Sequence, residues 1–173
     1  MSALANPEVG DYLNRHFVSS FQKVGTFKIV GDQKQGGNVA SYFCTPDGGV
    51  LHAVAGPVNA ATLLREARWV VETYKLALLE HPEGGTAVRA FVWNAHAERL
   101  RREHGLDLDL GPTQGSCGLG PAAVPRGKLN RQGQVHLLLT AAPLARLERV
   151  YKLVFENVLG ETVSTAPVVV AGR

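Results

Sequence analysis

Two apolar runs face each other across a five-residue turn in VASYFCTPDGGVLHAVAG, Val39 to Gly56, and no other stretch restricts the fold as much. VASYFC is a short run suited to a strand buried on both faces. In TPDGG, Pro46 pre-sets its backbone angle, Asp47 tolerates the bridge region and a glycine supplies the positive φ. VLHAVAG is the returning strand. The spacing therefore predicts an antiparallel hairpin over Val39 to Gly56.

The flanking segments read mostly as helices. In NPEVGDYLNRHF, Asn6 is a good N-cap, Pro7 fits the first helical position and Glu8 sits where the helix dipole favours an acid. Val9, Leu13 and either Tyr12 or His16 form its inward face, and the helix stops between Asn14 and His16. FVSSFQKVGTFKIV reads as extended chain and GDQKQGGN as a polar, glycine-rich loop. NAATLLREARWVVETYKLALLE is the strongest helix. Asn59 caps it, and Leu63, Ala67, Val70, Val71, Tyr74 and Leu78 recur at helical spacing, with Glu66, Arg68, Glu72 and Lys75 largely on the other side. HPEGG ends it. TAVRAFVWNAHAERLRREHG is the next helix, with Arg99, Arg101 and Arg102 towards its C-terminal end.

Residues 105–133 are rich in glycine and proline, and a loop of that length is usually functional, disordered or a linker. VHLLLT is a short strand or the lead-in to a buried helix. Residues 143–159 form an amphipathic helix with Leu144, Leu147, Val150, Tyr151, Val154 and Val158 along one stripe and Gly160 as its stop. That stripe must bury against a sheet face or in a dimer seam.

With 173 residues, 45% of them hydrophobic, the chain suits one domain or a domain with an extension. A net charge of +3 is too weak to argue for nucleic acid. Two cysteines, Cys44 and Cys117, make neither a disulfide framework nor a zinc site, so a reducing compartment is expected. The N-terminus lacks a basic start followed by an apolar run, and no apolar stretch reaches the roughly 18 residues of a membrane span. The expectation is a cytoplasmic protein with no membrane span.

Two stretches carry a resemblance. NPEVGDYLNRHFV resembles the helix and strand that follow the redox motif in thioredoxin-like proteins, where an acid and a valine open the helix, LN closes it and FV begins the next strand. VASYFCTPDGGVLHAVAGPVNAATLLREA is similar to the terminal hairpin and helix of that superfamily. The resemblance spans Asn6 to Tyr74. It implies an α/β fold: an incomplete thioredoxin-like sheet-and-helix core over residues 1–80, followed by a mainly helical C-terminal extension over residues 81–173. The family's Cys-x-x-Cys dithiol has no counterpart here, and its cis-proline position falls at Asn38 or Val39, in GGNVASYF. A member lacking both is expected to be a non-catalytic binding or scaffold module. It would carry out no dithiol–disulfide exchange alone, use no cofactor, and bind another protein or a second copy of itself. The alternative is a thiol oxidoreductase, either using a single cysteine or with its dithiol encoded upstream of Met1.

Three residues are the candidates for chemistry. Cys44 closes an apolar strand beside Tyr42 and Phe43; such surroundings raise a thiol's pKa and favour packing over reactivity. His52 lies across the hairpin from the Cys44 strand and could serve it as a base, though no third group orients the imidazole, and an exposed hairpin histidine is the plainer reading. Cys117 in GPTQGSCGLG has the more open surroundings, but the segment lacks the P-loop lysine and reads as a flexible loop. His96 and His104 are two turns apart on one helix without the i, i+4 pairing of a helical metal site, so they read as a solvated face and no metal ligand is expected. Arg99, Arg101, Arg102, Arg126, Lys128 and Arg131 form a loose basic set without interleaved aromatics. Trp69 and Trp93 sit in helices and are expected to pack.

Overall fold

Thr45 closes the hairpin turn with its backbone and its hydroxyl. Its N–H donates to the Gly49 carbonyl at 2.8 Å, and its Oγ1 accepts from the Gly49 N–H at 2.9 Å. Gly48 takes φ +85°, a value that favours glycine. The turn joins β3 (Ala40–Cys44) to β4 (Val50–Ala55), and the Gly56 N–H bonded to the Val39 carbonyl closes the open end. The hairpin over Val39 to Gly56 thus forms as the sequence predicts.

The computed structural model describes residues 3–22, 27–30, 33–36, 38–108 and 129–163, with residues 27–30 and 33–36 described by their backbone. The described chain is mixed α/β. A 3₁₀ turn (Ala3–Ala5) leads into α1 (Pro7–His16), followed by the strands β1 (Phe27–Val30) and β2 (Gln33–Gly36). After β3 and β4 come α2 (Ala60–Glu80), α3 (Gly85–His104), α4 (Arg131–Ala141) and α5 (Leu147–Leu153), which runs on into a π-helical turn at Val154–Val158. Asn6, Asn59 and Asn130 each cap a helix, their side-chain oxygens accepting backbone N–H groups of the first turn. Among the described residues no helix is long and apolar enough to cross a membrane.

Helices cover both faces of the β3–β4 hairpin. On one side Phe43, Leu51 and Val54 pack with Val9 of α1, Leu63, Leu64 and Val70 of α2, and Val92 of α3. On the other, Val50, Ala53 and Ala55 pack with Val135 and Leu139 of α4, Val150 of α5, and Val154 and Phe155 of the π turn. Residues on either side of position 80 therefore share both clusters. The C-terminal apolar stripe buries against the sheet, the first of its two expected destinations.

Three local expectations need correction, and the choice left open at VHLLLT falls to the helix. Full burial falls on β4, buried at all six positions, and not on VASYFC, because α2 and α4 pack against opposite faces of the second strand. Gln33–Gly36, expected in a loop, is a strand that pairs antiparallel with Phe27–Val30; an extended FKIV needs partners for its backbone groups, and the next segment supplies them. VHLLLT lies inside α4, whose start is set by Asn130 accepting from the Gly133 N–H. The last amphipathic helix begins at Leu147 and not at 143. Leu144 sits at φ +55° outside it and packs with the α1–α2 side, while the chain before α5 runs beside the hairpin turn through the Val50 N–H to Ala145 carbonyl bond.

The two-sided core predicts how substitutions are tolerated. Leu139→Ala, at a position with no exposure, is expected to destabilise the protein by about 2–5 kcal/mol in urea unfolding. Leu79→Ala, on the exposed side of α2, should stay within about 0.5 kcal/mol.

Candidate metal centre

A β-bulge sets the site. Phe43 pairs with His52 and Cys44 with Val50, so Leu51 is the extra residue of β4. Leu51 and His52, adjacent in sequence, both turn towards α2 and α3. The Leu51 side chain enters the core there, and its carbonyl accepts from His96 Nε2 at 2.9 Å.

His52 from β4, His96 from α3 and His136 from α4 come together where these elements meet α2. None has exposed surface. One ring nitrogen of each lies within 4.8 Å of the others. His96 continues the Val88, Val92, Leu100 stripe of α3, all buried and four residues apart. His136 lies on the buried side of α4 beside Val135 and Leu139. The indole of Trp69 meets all three imidazoles edge-on, with centroids 5.0 Å from His52, 5.2 Å from His96 and 5.8 Å from His136.

Hydrogen bonds assign the protons. A carbonyl can only accept, so His96 Nε2 carries the hydrogen given to Leu51 and its Nδ1 is bare. His52 Nε2 lies 3.1 Å from Glu66 Oε2 and donates to that carboxylate, which leaves His52 Nδ1 bare and without a partner among the described residues. His96 Nδ1 and His136 Nδ1 are 2.7 Å apart. With His96 Nδ1 bare, His136 donates there from Nδ1, and its own Nε2 has no partner among the described residues. Burial lowers the pKa of all three rings. His96 is pushed down to about 3 by burial and then by His52, and His136 is lowered by burial and by its two neighbours. At neutral pH the cluster is three neutral imidazoles.

Glu66 orders the surroundings. It is 1% exposed, on the inner side of α2, where the sequence reading had placed it outside. Arg99 reaches it from α3, Nη1 to Oε2 at 2.5 Å and Nη2 to Oε1 at 3.2 Å, and Arg65 adds a bond to Oε1 at 2.9 Å. Burial would raise this carboxyl, but the bonds from His52 and Arg99 outweigh it and hold it well below the usual carboxylate range. Arg99 also bonds Glu103, with Nε to Oε1 at 2.8 Å, and lies over the Trp69 ring. Two carboxylates and two guanidinium groups thus balance around the histidines.

The sequence candidates fare differently. His52 is wholly buried, not an exposed hairpin histidine, because helices cover β4 on both faces. Cys44 is half-buried on the opposite side, against the α4–α5 cluster, and burial followed by Glu148 raises its pKa. Cys44 and His52 thus lie in different layers and form no pair. Cys117, Arg126 and Lys128 lie outside the described residues. His96 is buried and not part of a solvated face. His104 packs its ring against Gly133, where a Cβ would meet it at 3.0 Å. Arg99 leaves the loose basic set for the interior, and Arg101 pairs with Glu98. Trp69 packs as expected, onto the imidazoles.

The i, i+4 test on one helix could not find a set spread over a strand and two helices. The available signal was a polar residue at a core position: His96 in the α3 stripe, and Glu66 one turn from both Leu63 and Val70. Comparison with protein-family models, with curated proteins and with solved structures finds no match for this chain.

Two outcomes follow. Glu66→Gln leaves Arg99 short of a buried charge partner and is expected to cost about 3–5 kcal/mol in urea unfolding, with the Glu66→Gln/Arg99→Met double variant recovering part of the loss. For Cys44 in a Cys117→Ser background, the raised pKa means less thiolate at pH 8 than a free thiol has. Maleimide labelling there should be slower than for a model thiol, should speed up above pH 9, and should reach the model rate in denaturant.

Proposed function

We propose that this chain is a metal-binding module whose His52–His96–His136 centre takes one divalent transition-metal ion. The observation that carries this reading is three wholly buried neutral imidazoles with converging ring nitrogens, two of them held from behind by hydrogen-bond acceptors. A ligating histidine usually donates its other N–H to a carboxylate or a backbone carbonyl; Glu66 does this for His52 and the Leu51 carbonyl for His96. The donor set fits. Nitrogens bound at about 2.0–2.1 Å around a tetrahedral ion lie about 3.3 Å apart. That spacing falls between the 2.7 Å of the His96–His136 pair and the 4.8 Å limit of the cluster. Imidazole suits zinc, cobalt, nickel and copper, while magnesium and calcium take oxygen donors.

The bound ion supplies a cross-link between β4, α3 and α4. Around it, Glu66 fixes the His52 tautomer, Arg99 keeps Glu66 ionised, and Trp69 packs over the three rings. The non-catalytic, thioredoxin-like binding or scaffold module is the frame we propose for this centre. Its support is α1 ahead of the β3–β4 hairpin and the long α2 after it, together with a Cys44 thiol whose burial disfavours the single-cysteine oxidoreductase alternative.

Equilibrium dialysis followed by metal analysis tests the reading. One Zn²⁺ or Co²⁺ per chain is expected, with the melting temperature rising as metal is added. His52→Ala, His96→Ala and His136→Ala should each lose most of the binding, while His81→Ala, outside the centre, should keep it. Absence of stoichiometric metal, or equal binding by all four variants, would refute it.

A further inference from the structure

We infer that the centre keeps an exchangeable fourth coordination position beneath the Trp69 indole, and that this position takes one small exogenous ligand, water or a monodentate anion the size of azide. The inference rests on the metal reading above and adds what the ion would bind besides protein. Among the described residues the cluster offers three ligand nitrogens, and an ion of this class takes four ligands, with a site of three protein donors leaving the fourth to water or substrate.

The nearest carboxylates are already engaged. Glu66 Oε1 accepts from Arg65 and Arg99, and its Oε2 from His52 and Arg99. Both oxygens of Glu103 accept from Arg99. Gln132 turns its amide nitrogen to the Ala53 carbonyl at 2.8 Å.

Trp69 covers the side that the three rings share. It meets each of them edge-on, at interplanar angles of 63–89°. An indole has an N–H donor and no lone pair to give a metal, so it shields this side without filling a coordination position. Trp69 also lines a surface groove of about 550 Å³, together with Glu8, Leu64, Arg65, Arg68 and Glu72. It is therefore the wall between that groove and the histidines. The centroid spacings of 5.0–5.8 Å are those of packed rings, so a ligand reaches the position only as the indole moves aside, and a small one needs the least movement.

The test uses the whole chain loaded with one Co²⁺. Its visible d–d bands report the coordination number, and sodium azide is titrated into wild type, Trp69→Ala and Trp69→Phe. A saturable band shift is expected in wild type. By stopped flow, azide should enter Trp69→Ala several-fold faster than wild type, with Trp69→Phe close to wild type because a ring still covers the position. If Trp69→Ala does not fold, the wild-type titration still decides. Bands that azide leaves unchanged in cobalt-loaded protein would overturn the inference while leaving the metal reading intact. Equal entry rates in wild type and Trp69→Ala would overturn the placement of the position under Trp69. Failure to bind Co²⁺ at all is a separate result that removes the metal reading, and this inference with it.

Discussion

A carboxylate with almost no exposed surface stays ionised only where cations or donors are held against it, and Glu66 draws its partners from three directions. Arg99 comes from α3, Arg65 from its own helix and the imidazole N–H of His52 from β4. One group thereby ties α2, α3 and the inner strand together. The guanidinium of Arg99 then lies on the indole of Trp69 and reaches Glu103 one turn further along α3. The same electrostatics decide the chemistry of His52. Because Glu66 is an acceptor, the His52 proton sits on Nε2 and the lone pair on Nδ1.

The second ring is set by backbone geometry and not by charge. Leu51 is the extra residue of the β4 bulge, and its carbonyl takes the His96 Nε2 proton. Two consecutive residues of one strand thus fix two imidazoles, one by supplying the ring and one by supplying the acceptor. His136 differs. Its only hydrogen bond among the described residues is to His96, so no outside group fixes its tautomer. It is the ring free to move its proton and open the 2.7 Å His96–His136 spacing when an ion enters. The centre has two rigid donors and one adjustable one.

Much of the fold was legible because its signals are local. The TPDGG turn, the Asn6 and Asn59 caps and the Gly160 stop each act within a few residues, and all stand where they are expected. The errors arose where a distant partner decides. β4 carries the double burial because α4 and α5, a hundred residues away, cover its second face. VHLLLT is ambiguous as a short apolar run, although Asn130 five residues earlier marks a helix start. The site was least legible, since its three imidazoles come from residues 52, 96 and 136 and no short spacing joins them. A bulge leaves no mark in a single sequence, so the carbonyl that orients His96 could not be read from Leu51. What could be read is the conflict itself: a histidine and a glutamate standing at helix positions whose neighbours one turn away are apolar.

That conflict is also the physical argument for a ligand. Apolar side chains of similar volume would hold β4, α3 and α4 together without buried charge, and replacing buried ionic groups in this way is often neutral or stabilising. Among the described residues His52 Nδ1 and His136 Nε2 have no hydrogen-bond partner, and a buried polar atom left so costs about 1–3 kcal/mol. Against a total stability of about 5–15 kcal/mol for a domain, that is a large concession. A purely structural network would need N–H donors aimed at those atoms. The nearby amide of Gln132 is on the wrong side: it lies 3.2 Å from His52 Nε2, which already carries a proton, and it donates to Ala53. More protons cannot serve, because burial pushes all three rings away from the charged form. A metal ion would take the lone pairs of His52 Nδ1 and His96 Nδ1 and, once the His136 proton has moved to Nε2, that of His136 Nδ1, which is why the arrangement makes better physical sense as a binding site than as a core.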